Sequence, residues 1–264
     1  MRKYIEIAKL HLKSQLAWRA DAVFNMLFTV CKILFAYLLW STIFKQNNSV
    51  AGFTFHGILS YYIISSFLSQ LDMSAGISGE ISSRIRNGTF SNYMVLPVNA
   101  ESYFLFQEIG TMLFYLLFDF AAAVIWIFIF RIDFALTTDP YLLVCELLMI
   151  PLGLFFMLQL NYFLGLLTLK YQEISTFLMI KDNLMMLVTG AIVPLVLFPE
   201  KLLVFLRSLP FYYVTYLPSM LLTGHCRQEA LPGIAALICW SAAIQAAIHV
   251  TWKHYRTKYD GVGI

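Results

Sequence analysis

The sequence predicts an all-α membrane protein with six transmembrane helices in a single domain, residues 1–264. Residues of the set AVILMFWYC make up 60% of the chain and charged residues 12%, whereas average soluble domains have about 45–50% and about 25%. The mean hydropathy of +0.73 is too high for a soluble fold, because such a fold must cover its surface with polar groups. The apolar residues form six runs, each near the ~20 residues that cross a bilayer. The short intervals between them exclude a large extramembrane catalytic domain.

The first twenty residues, 1–20, predict a helix that lies on the membrane surface. Lys9 and Lys13 fall largely on other faces than the apolar residues, a pattern typical of an interfacial amphipathic helix. A basic flank that only sets orientation is the alternative. The apolar residues recur at steps of three and four: Tyr4, Ile5, Ala8, Leu12 and Leu16.

The spans and the segments between them follow from the apolar runs. The longest polar interval is residues 72–101, which must lie outside the hydrocarbon. Residues 199–224, with Pro199, Pro210 and Pro218, are too apolar for a plain loop and too broken for a standard span. The four cysteines form no CxxC pair, so neither a metal site nor a redox motif is expected. The predicted spans are residues 22–44, 55–71, 103–130, 141–169, 174–198 and 231–252.

Lysine and arginine residues are concentrated on one side of this topology. We count eleven on the side of the N-terminus and five on the opposite side, with Lys32 and Lys181 inside spans. Loops rich in lysine and arginine stay in the cytoplasm. Both termini and residues 72–101 are therefore predicted to be cytoplasmic, and residues 199–224 extracellular.

The cytoplasmic interval contains a short amphipathic helix. Glu80 and Arg84 form an i,i+4 pair on it, and Asn87-Gly88 offers the left-handed residue that ends a helix. From these residues alone, the helix either rests on the bilayer or docks on another protein. Its apolar residues recur every four positions, at Ile77, Ile81 and Ile85.

Ionisable residues also occur inside the predicted spans. Such groups are costly in lipid unless they face protein or water. At about 1.5 Å per residue, Lys32 and Asp182 lie at roughly 15 and 12 Å from the starts of their spans. We therefore expect Lys32 to pair with Asp182 first and Asp119 second, fixing helix packing; a charged patch in a substrate path is the alternative. The four intramembrane charges are Lys32, Asp119, Lys181 and Asp182.

One face of the second span is lined by small and polar residues at steps of three and four. Lipid is a poor neighbour for such a stripe. It indicates either a close helix seam or the wall of a translocation path, and the two are equally favoured. The stripe consists of Tyr62, Ser65, Ser69 and Asp72.

Two strings of residues resemble type-two permeases of ABC exporters, particularly the antibiotic and multidrug export subgroup. The first, in the cytoplasmic interval, is Ile81-x-x-x-Ile85-x-x-Gly88-Thr89-Phe90 followed by Leu96-Pro97. The second precedes the last span and comprises Ile192-Val193-Pro194, Phe198-Pro199, Leu209-Pro210-Phe211, Tyr216-Leu217-Pro218 and Gly224. The resemblance covers nearly the whole chain in the number, orientation and order of its spans.

The resemblance implies a permease subunit that forms half of a translocation path. A separate ABC ATPase dimer would dock on the cytoplasmic helix and bind the ATP and Mg, so no cofactor or metal is expected on this chain. The second and fifth spans would line the path, beside a second permease subunit, identical or paralogous. Residues implied in ATPase coupling are Ile77, Glu80, Ile81, Arg84, Ile85 and Gly88. Those implied in a re-entrant gate are Pro194, Pro199, Pro210, Phe211 and Pro218.

The expected function is export of a hydrophobic or amphipathic drug, peptide or lipid-like compound across a bacterial-type cytoplasmic membrane. The chain has no GxxxxGK(S/T) loop, so it does not bind a nucleotide by that mechanism. The string Gly76-Ile77-Ser78-Gly79 matches the GxSG of rhomboid intramembrane proteases, with His249 as a candidate base. An intramembrane serine protease is therefore the alternative, and a membrane anchor without transport activity is the third hypothesis.

Overall fold

The computed structural model describes residues 2–45, 49–50, 52–72, 74–95, 98–131, 133–188, 195 and 198–256. Over these ranges the chain is helical, as predicted, and contains no β-strand. The α-helices are α1 (Arg2–Gln15), α2 (Arg19–Phe44), α3 (Phe55–Leu71), α4 (Ala75–Arg86), α5 (Ser91–Val95), α6 (Ala100–Phe130), α7 (Pro140–Leu166), α8 (Ser175–Val188), α9 (Glu200–Arg207), α10 (Tyr216–Leu222) and α11 (Ala230–Tyr255). Short 3-10 helices cover Leu16–Trp18, Leu167–Leu169, Pro210–Tyr213 and Arg227–Glu229.

Four helical stretches are long and apolar enough to cross a membrane: Ala20–Phe44, Ala100–Ile129, Pro140–Leu169 and Arg227–Tyr255. They match the first, third, fourth and last predicted spans, so the chain is a multi-pass membrane protein. The other two predicted spans correspond to α3, with 17 residues, and α8, with 14 residues. α3 is shorter than the ~20 residues of a standard span, α8 is described only up to Val188, and the six-span topology stays a prediction.

Helix α3 lies within the helical bundle. It begins after Thr54, whose side chain accepts a hydrogen bond from the Gly57 N–H at 3.1 Å. It packs against α2, α6 and α10, and most of its residues from Ile58 to Leu71 are buried. A helix enclosed by protein tolerates serines that lipid would disfavour.

Helix α7 is the centre of the packing. Its residues Met149, Phe156 and Met157 are at most 1% exposed. α11 packs along α7 and α4 packs beside it. A Cβ on Gly233 of α11 would lie 3.0 Å from the Met149 Cε, so the missing side chain allows this close contact.

Helix α1 is docked on the first half of α6. The Tyr4 ring stacks on Phe106 with centroids 5.2 Å apart, and its hydroxyl accepts a hydrogen bond from the Asn99 N–H at 3.3 Å. A Cβ on Gly110 would overlap the Ala8 carbonyl. The amphipathic helix predicted for residues 1–20 therefore packs against protein along one face, and its position on the membrane surface stays a prediction.

Candidate functional site

Helix α4 is the candidate site for coupling to another protein. Its start is fixed by Asp72, whose carboxylate accepts from the Ser74 N–H at 3.1 Å and from the Ser74 hydroxyl at 2.5 Å. Its end follows the expected pattern: Asn87 is the C-cap and Gly88 adopts the left-handed φ of 72°. Only glycine adopts this conformation at little cost, so the two ends define a short rigid helix.

The apolar face of α4 points into the bundle. Ile77, Ile81 and Ile85 are at most 3% exposed and pack in one cluster that includes Leu158 and Leu166 of α7. The three isoleucines predicted to take part in ATPase coupling thus pack inside this chain and do not form an exposed docking surface. The sequence pattern reveals an apolar stripe but not which partner covers it. Here the partner is α7.

The contact between α4 and α7 is unusually close at Gly165. A Cβ added there would lie 2.8 Å from the Ile81 Cβ and 3.0 Å from its Cγ2. Real Cβ atoms essentially never approach other atoms that closely. Glycine at 165 therefore lets α4 and α7 pack in direct contact at Ile81.

The Glu80–Arg84 pair also faces other parts of the chain. Arg84 donates two hydrogen bonds to Glu80 Oε1, from Nε at 2.9 Å and Nη2 at 2.8 Å. Glu80 Oε2 accepts from the Gln107 side chain of α6 at 2.8 Å, and the Arg84 guanidinium lies 5.1 Å from the Tyr93 ring centroid. Burial alone would lower the pKa of Arg84, but the hydrogen bond to Glu80 and nearby tyrosines raise it overall. The pair links α4 to α5 and α6.

The exposed face of α4 is made of small residues. It consists of Ala75, Gly76, Gly79 and Ser83, and a Cβ added to Gly76 or Gly79 would meet no atom within 4 Å. At its end, Arg86 donates to Glu173, just before α8, at 3.3 Å. This face of small residues, which we call the smooth face, is the surface of α4 that another protein can contact. The isoleucine face is covered by α7.

A buried chain of hydrogen bonds joins the start of α4 to α7 and α8. Asn161 of α7 is fully buried, and its side-chain amide donates to the Ser74 hydroxyl at 2.8 Å. Its Oδ1 accepts from Lys181 Nζ of α8 at 3.1 Å. Lys181 Nζ also lies 2.9 Å from the Asp182 carboxylate. With Asp72 at the other end, three helices are connected through polar side chains.

The structure does not pair Lys32 with Asp182 or Asp119. Lys32 is exposed on α2, and no ion pair among the described residues includes it. Asp182 binds the neighbouring Lys181, while Asp119 of α6 is 5% exposed and lines a small cavity with Thr29. Depth along a span does not tell which way a side chain points, which is why the depth argument chose the wrong partner.

The sequence reasoning missed several buried polar residues of α7, among them Asn161 and Glu146. Asn161 connects the polar chain, and Glu146 is 3% exposed. Within the described part of the chain, neither carboxylate oxygen of Glu146 has a hydrogen-bond partner. Both residues lie inside the fourth predicted span, so the rule that polar groups in spans are costly would have found them.

The small and polar stripe of α3 is located inside the subunit. Tyr62 and Ser65 are buried, and the Tyr62 ring lies 6.4 Å from the Trp40 ring of α2. The Ser69 hydroxyl donates to the Ser65 carbonyl within α3 at 2.8 Å. In this chain the stripe forms a helix seam, and a contribution to a translocation path stays a proposal.

The segment before α11 folds back into the bundle. Pro199 precedes α9, Pro210 begins a 3-10 helix and Pro218 lies within α10. The Phe211 ring lies 6.5 Å from Phe156 of α7, and the residues of α10 from Tyr216 to Leu221 are buried. Pro194 lies outside the described residues. The part of the segment around Pro210–Tyr213 and Tyr216–Leu222 is packed like core, whereas α9 exposes Val204 and Phe205.

The positions of Ser78 and His249 do not support the intramembrane-protease alternative. Ser78 is fully buried, and its hydroxyl donates to the Ala75 carbonyl of its own helix at 3.0 Å. His249 lines a cleft with Trp252 and Arg256. Among the hydrogen bonds that the structure describes, none joins Ser78 to His249, so no serine–histidine pair of the kind that activates a nucleophile is formed.

The sequence was also compared with known proteins. A family model described as ABC-2 family transporter protein matches residues 30–263. No curated protein matches the chain. The family match covers α3 to α11 and most of α2, so it includes the whole site built around α4.

Proposed function

Because the chain belongs to the ABC-2 family of transporter proteins, we propose that it is the transmembrane subunit of an ATP-driven exporter whose ATP hydrolysis occurs on a separate ABC ATPase dimer. ATP and Mg are bound by that partner. The observation that supports this function best is the construction of α4. It is a short helix held at both ends by Asp72 and Gly88, with one face buried and one face free.

In this proposal the ATPase contacts the smooth face of α4 at Gly79 and Ser83. When the ATPase dimer closes, α4 moves as a rigid unit. The close packing of Ile81 on Gly165 passes the movement to α7, and the hydrogen bond from Gln107 to Glu80 passes it to α6. Asn161 and Lys181 pass it to α8.

The movement of α8 would open and close the translocation path. α8 exposes Asp182 and Asn183 beside apolar residues such as Met179 and Met186. An exposed carboxylate on a helix at membrane depth needs water or a partner protein rather than lipid. We therefore place this surface of α8 toward the path between two permease subunits, with the buried segment at Pro210–Leu222 as the outer gate. The proposed cargo is hydrophobic or amphipathic.

Cysteine cross-linking tests the docking surface. The cysteines at positions 31, 145, 226 and 239 are first replaced by serine. We expect Ser83→Cys to cross-link to the co-purified ATPase, whereas Ser14→Cys on α1, also an exposed serine, does not. Equal cross-linking of the two variants, or cross-linking of neither, would contradict docking on α4.

Impermeant thiol labelling of intact cells tests the proposed orientation. Arg227 and Asn87 are both exposed and lie on opposite sides of the predicted topology. We expect Arg227→Cys to react from outside and Asn87→Cys to react only after the cells are opened. Labelling of Asn87→Cys in intact cells would refute cytoplasmic termini.

A further inference from the structure

A cleft of about 700 Å³ lies where α5, the start of α6 and the end of α11 meet. It is distinct from the exposed face of α4, and it has no part in the proposed transmission of movement from the ATPase to α8. Its volume is in the range of small-molecule sites, about 300–1,000 Å³. The residues that give it chemical character are Tyr93, Glu101, Tyr162, His249, Trp252 and Arg256.

A second cavity of about 430 Å³ continues the first one. The two share Glu101 and Gln245, which meet through a hydrogen bond from the Gln245 amide to Glu101 Oε2 at 3.0 Å. Beyond this point Leu105, Phe155 and Ala242 line the cavity together with the polar residues Ser102, Gln159 and Ser241, and the exposed lining surface is more apolar than that of the first cleft. The pair of cavities therefore has a polar, aromatic end and a more apolar end.

The two cavities together extend from the membrane interface toward the hydrocarbon, as a lipid molecule does. From Arg256 to Gln245 the first cleft follows α11 for about 16 Å, at about 1.5 Å per residue. Arg256 follows the last residue of α11, Tyr255, while Phe155 lies in the middle of α7. On the orientation proposed above, the polar end is at the cytoplasmic interface and the more apolar end is in the hydrocarbon.

We propose that the two cavities bind one phospholipid of the cytoplasmic leaflet that has an amine in its headgroup. The Glu101 carboxylate and the ring of Trp252 suit an ammonium group, through charge and cation–π attraction. The Arg256 guanidinium suits the phosphate, because charged donors form the strongest hydrogen bonds to phosphate oxygens, and the His249 ring can donate a further hydrogen bond. One acyl chain occupies the second cavity along Leu105 and Phe155.

The presence of Glu101 selects among headgroups. A lipid with a phosphate but no amine would leave the Glu101 carboxylate without the ammonium group that balances its charge, close to a negatively charged headgroup. Like charges at short range disfavour binding, most strongly where water is excluded. The site therefore favours phosphatidylethanolamine over phosphatidylglycerol.

Native mass spectrometry of the detergent-purified transporter complex tests this site without any transport reaction. The complex is incubated with phosphatidylethanolamine or with phosphatidylglycerol, and the bound lipid is counted. We expect Glu101→Gln and Arg256→Gln each to weaken phosphatidylethanolamine binding about tenfold, the loss of one charged hydrogen bond. Glu101→Gln keeps an oxygen that can accept from Gln245, so it preserves the local fold. Lys253→Gln, an exposed neighbour outside the cleft, is the matched control and should bind as the unmodified chain does.

Three results would overturn the proposal. Unchanged binding in both variants would show that the lipid is elsewhere. Equal binding of the two lipids would remove the role of the amine. Displacement of the lipid by free phosphoethanolamine at equal concentration would show that the site recognises a soluble headgroup and has no use for an acyl chain. None of these results depends on ATPase docking, so they are distinguishable from a failure of the export proposal.

Discussion

Replacing Gly165 by alanine tests whether α4 is held tightly against α7. The new Cβ would lie 2.8 Å from the Ile81 Cβ, and Ile81 is fully buried, so it has no free space to move into. Overpacking of this kind costs about 1–3 kcal/mol. Alanine returns at most about 1 kcal/mol through its better helix propensity. We therefore expect a net loss near the middle of the resulting range of about 0–2 kcal/mol, that is, about 1 kcal/mol.

The assay is the thermal unfolding of the purified complex in detergent, followed by transport and ATP hydrolysis in vesicles. A loss of 1 kcal/mol lowers the Tm by about 2–4 °C in a domain of 150–250 residues. We expect Gly165→Ala to lower the Tm by about this amount. We also expect less cargo to be transported per ATP hydrolysed, because α4 is displaced from α7.

Gly79→Ala is the matched control on α4 itself. A Cβ at Gly79 would meet no atom within 4 Å, so this variant should keep the Tm or raise it slightly. Because Gly79 lies on the proposed ATPase contact, only its Tm serves as the control. If Gly165→Ala has the same Tm as Gly79→Ala and transports as much cargo per ATP as the unmodified chain, the tight contact between α4 and α7 has no role in coupling and the reasoning fails.

Three further predictions concern α1 and α6. Gly110→Ala should detach α1, because the new Cβ would overlap the Ala8 backbone; faster hydrogen exchange in α1 measures this, and unchanged exchange would contradict it. Gln107→Leu removes the donor to Glu80 and should lower stability by about 1–2 kcal/mol, seen as a lower Tm that Gln107→Asn partly restores. Burial lowers the pKa of His11 below 6.5, with Glu80 opposing. Since the folded chain favours neutral His11, stability should fall as the pH drops below 6.5, and His11→Gln should remove this part of the pH dependence of the Tm.

The sequence was sufficient for the helical fold and for the C-terminal end of α4. Apolar runs indicate helices because apolar side chains must be buried in lipid or protein. Gly88 marks a helix end because glycine adopts the left-handed backbone conformation at little cost. The same pattern could not show that Ile81 faces α7, since an apolar stripe does not identify its partner. The predicted ion pair of Lys32 with Asp182 or Asp119 was wrong for a related reason. The rise per residue gives the depth of a residue in the membrane, but it does not give the direction in which its side chain points from the helix.

The hydrogen-bonded chain through Asn161 could not be predicted from the sequence for a different reason. Its members come from three distant parts of the sequence, Asp72–Ser74, Asn161 and Lys181–Asp182, and each part alone is an ordinary polar residue at or inside a span. Only the packing of α4 and α8 against α7 brings them together. A polar residue at mid-span, such as Asn161 or Glu146, was the available signal.

The central claim is that α4 transmits the state of a separate ATPase to α8 through Asn161. The most direct measurement is the thiol-labelling rate of Asn183→Cys on the exposed surface of α8, in the complex with its ATPase, before and after the ATPase is trapped with nucleotide. Val204→Cys on α9, also exposed, is the control for general changes. We predict that trapping changes the rate at Asn183→Cys severalfold and that Asn161→Leu abolishes this change. An unchanged rate in the parent chain, or a change that persists with Asn161→Leu, would contradict the claim.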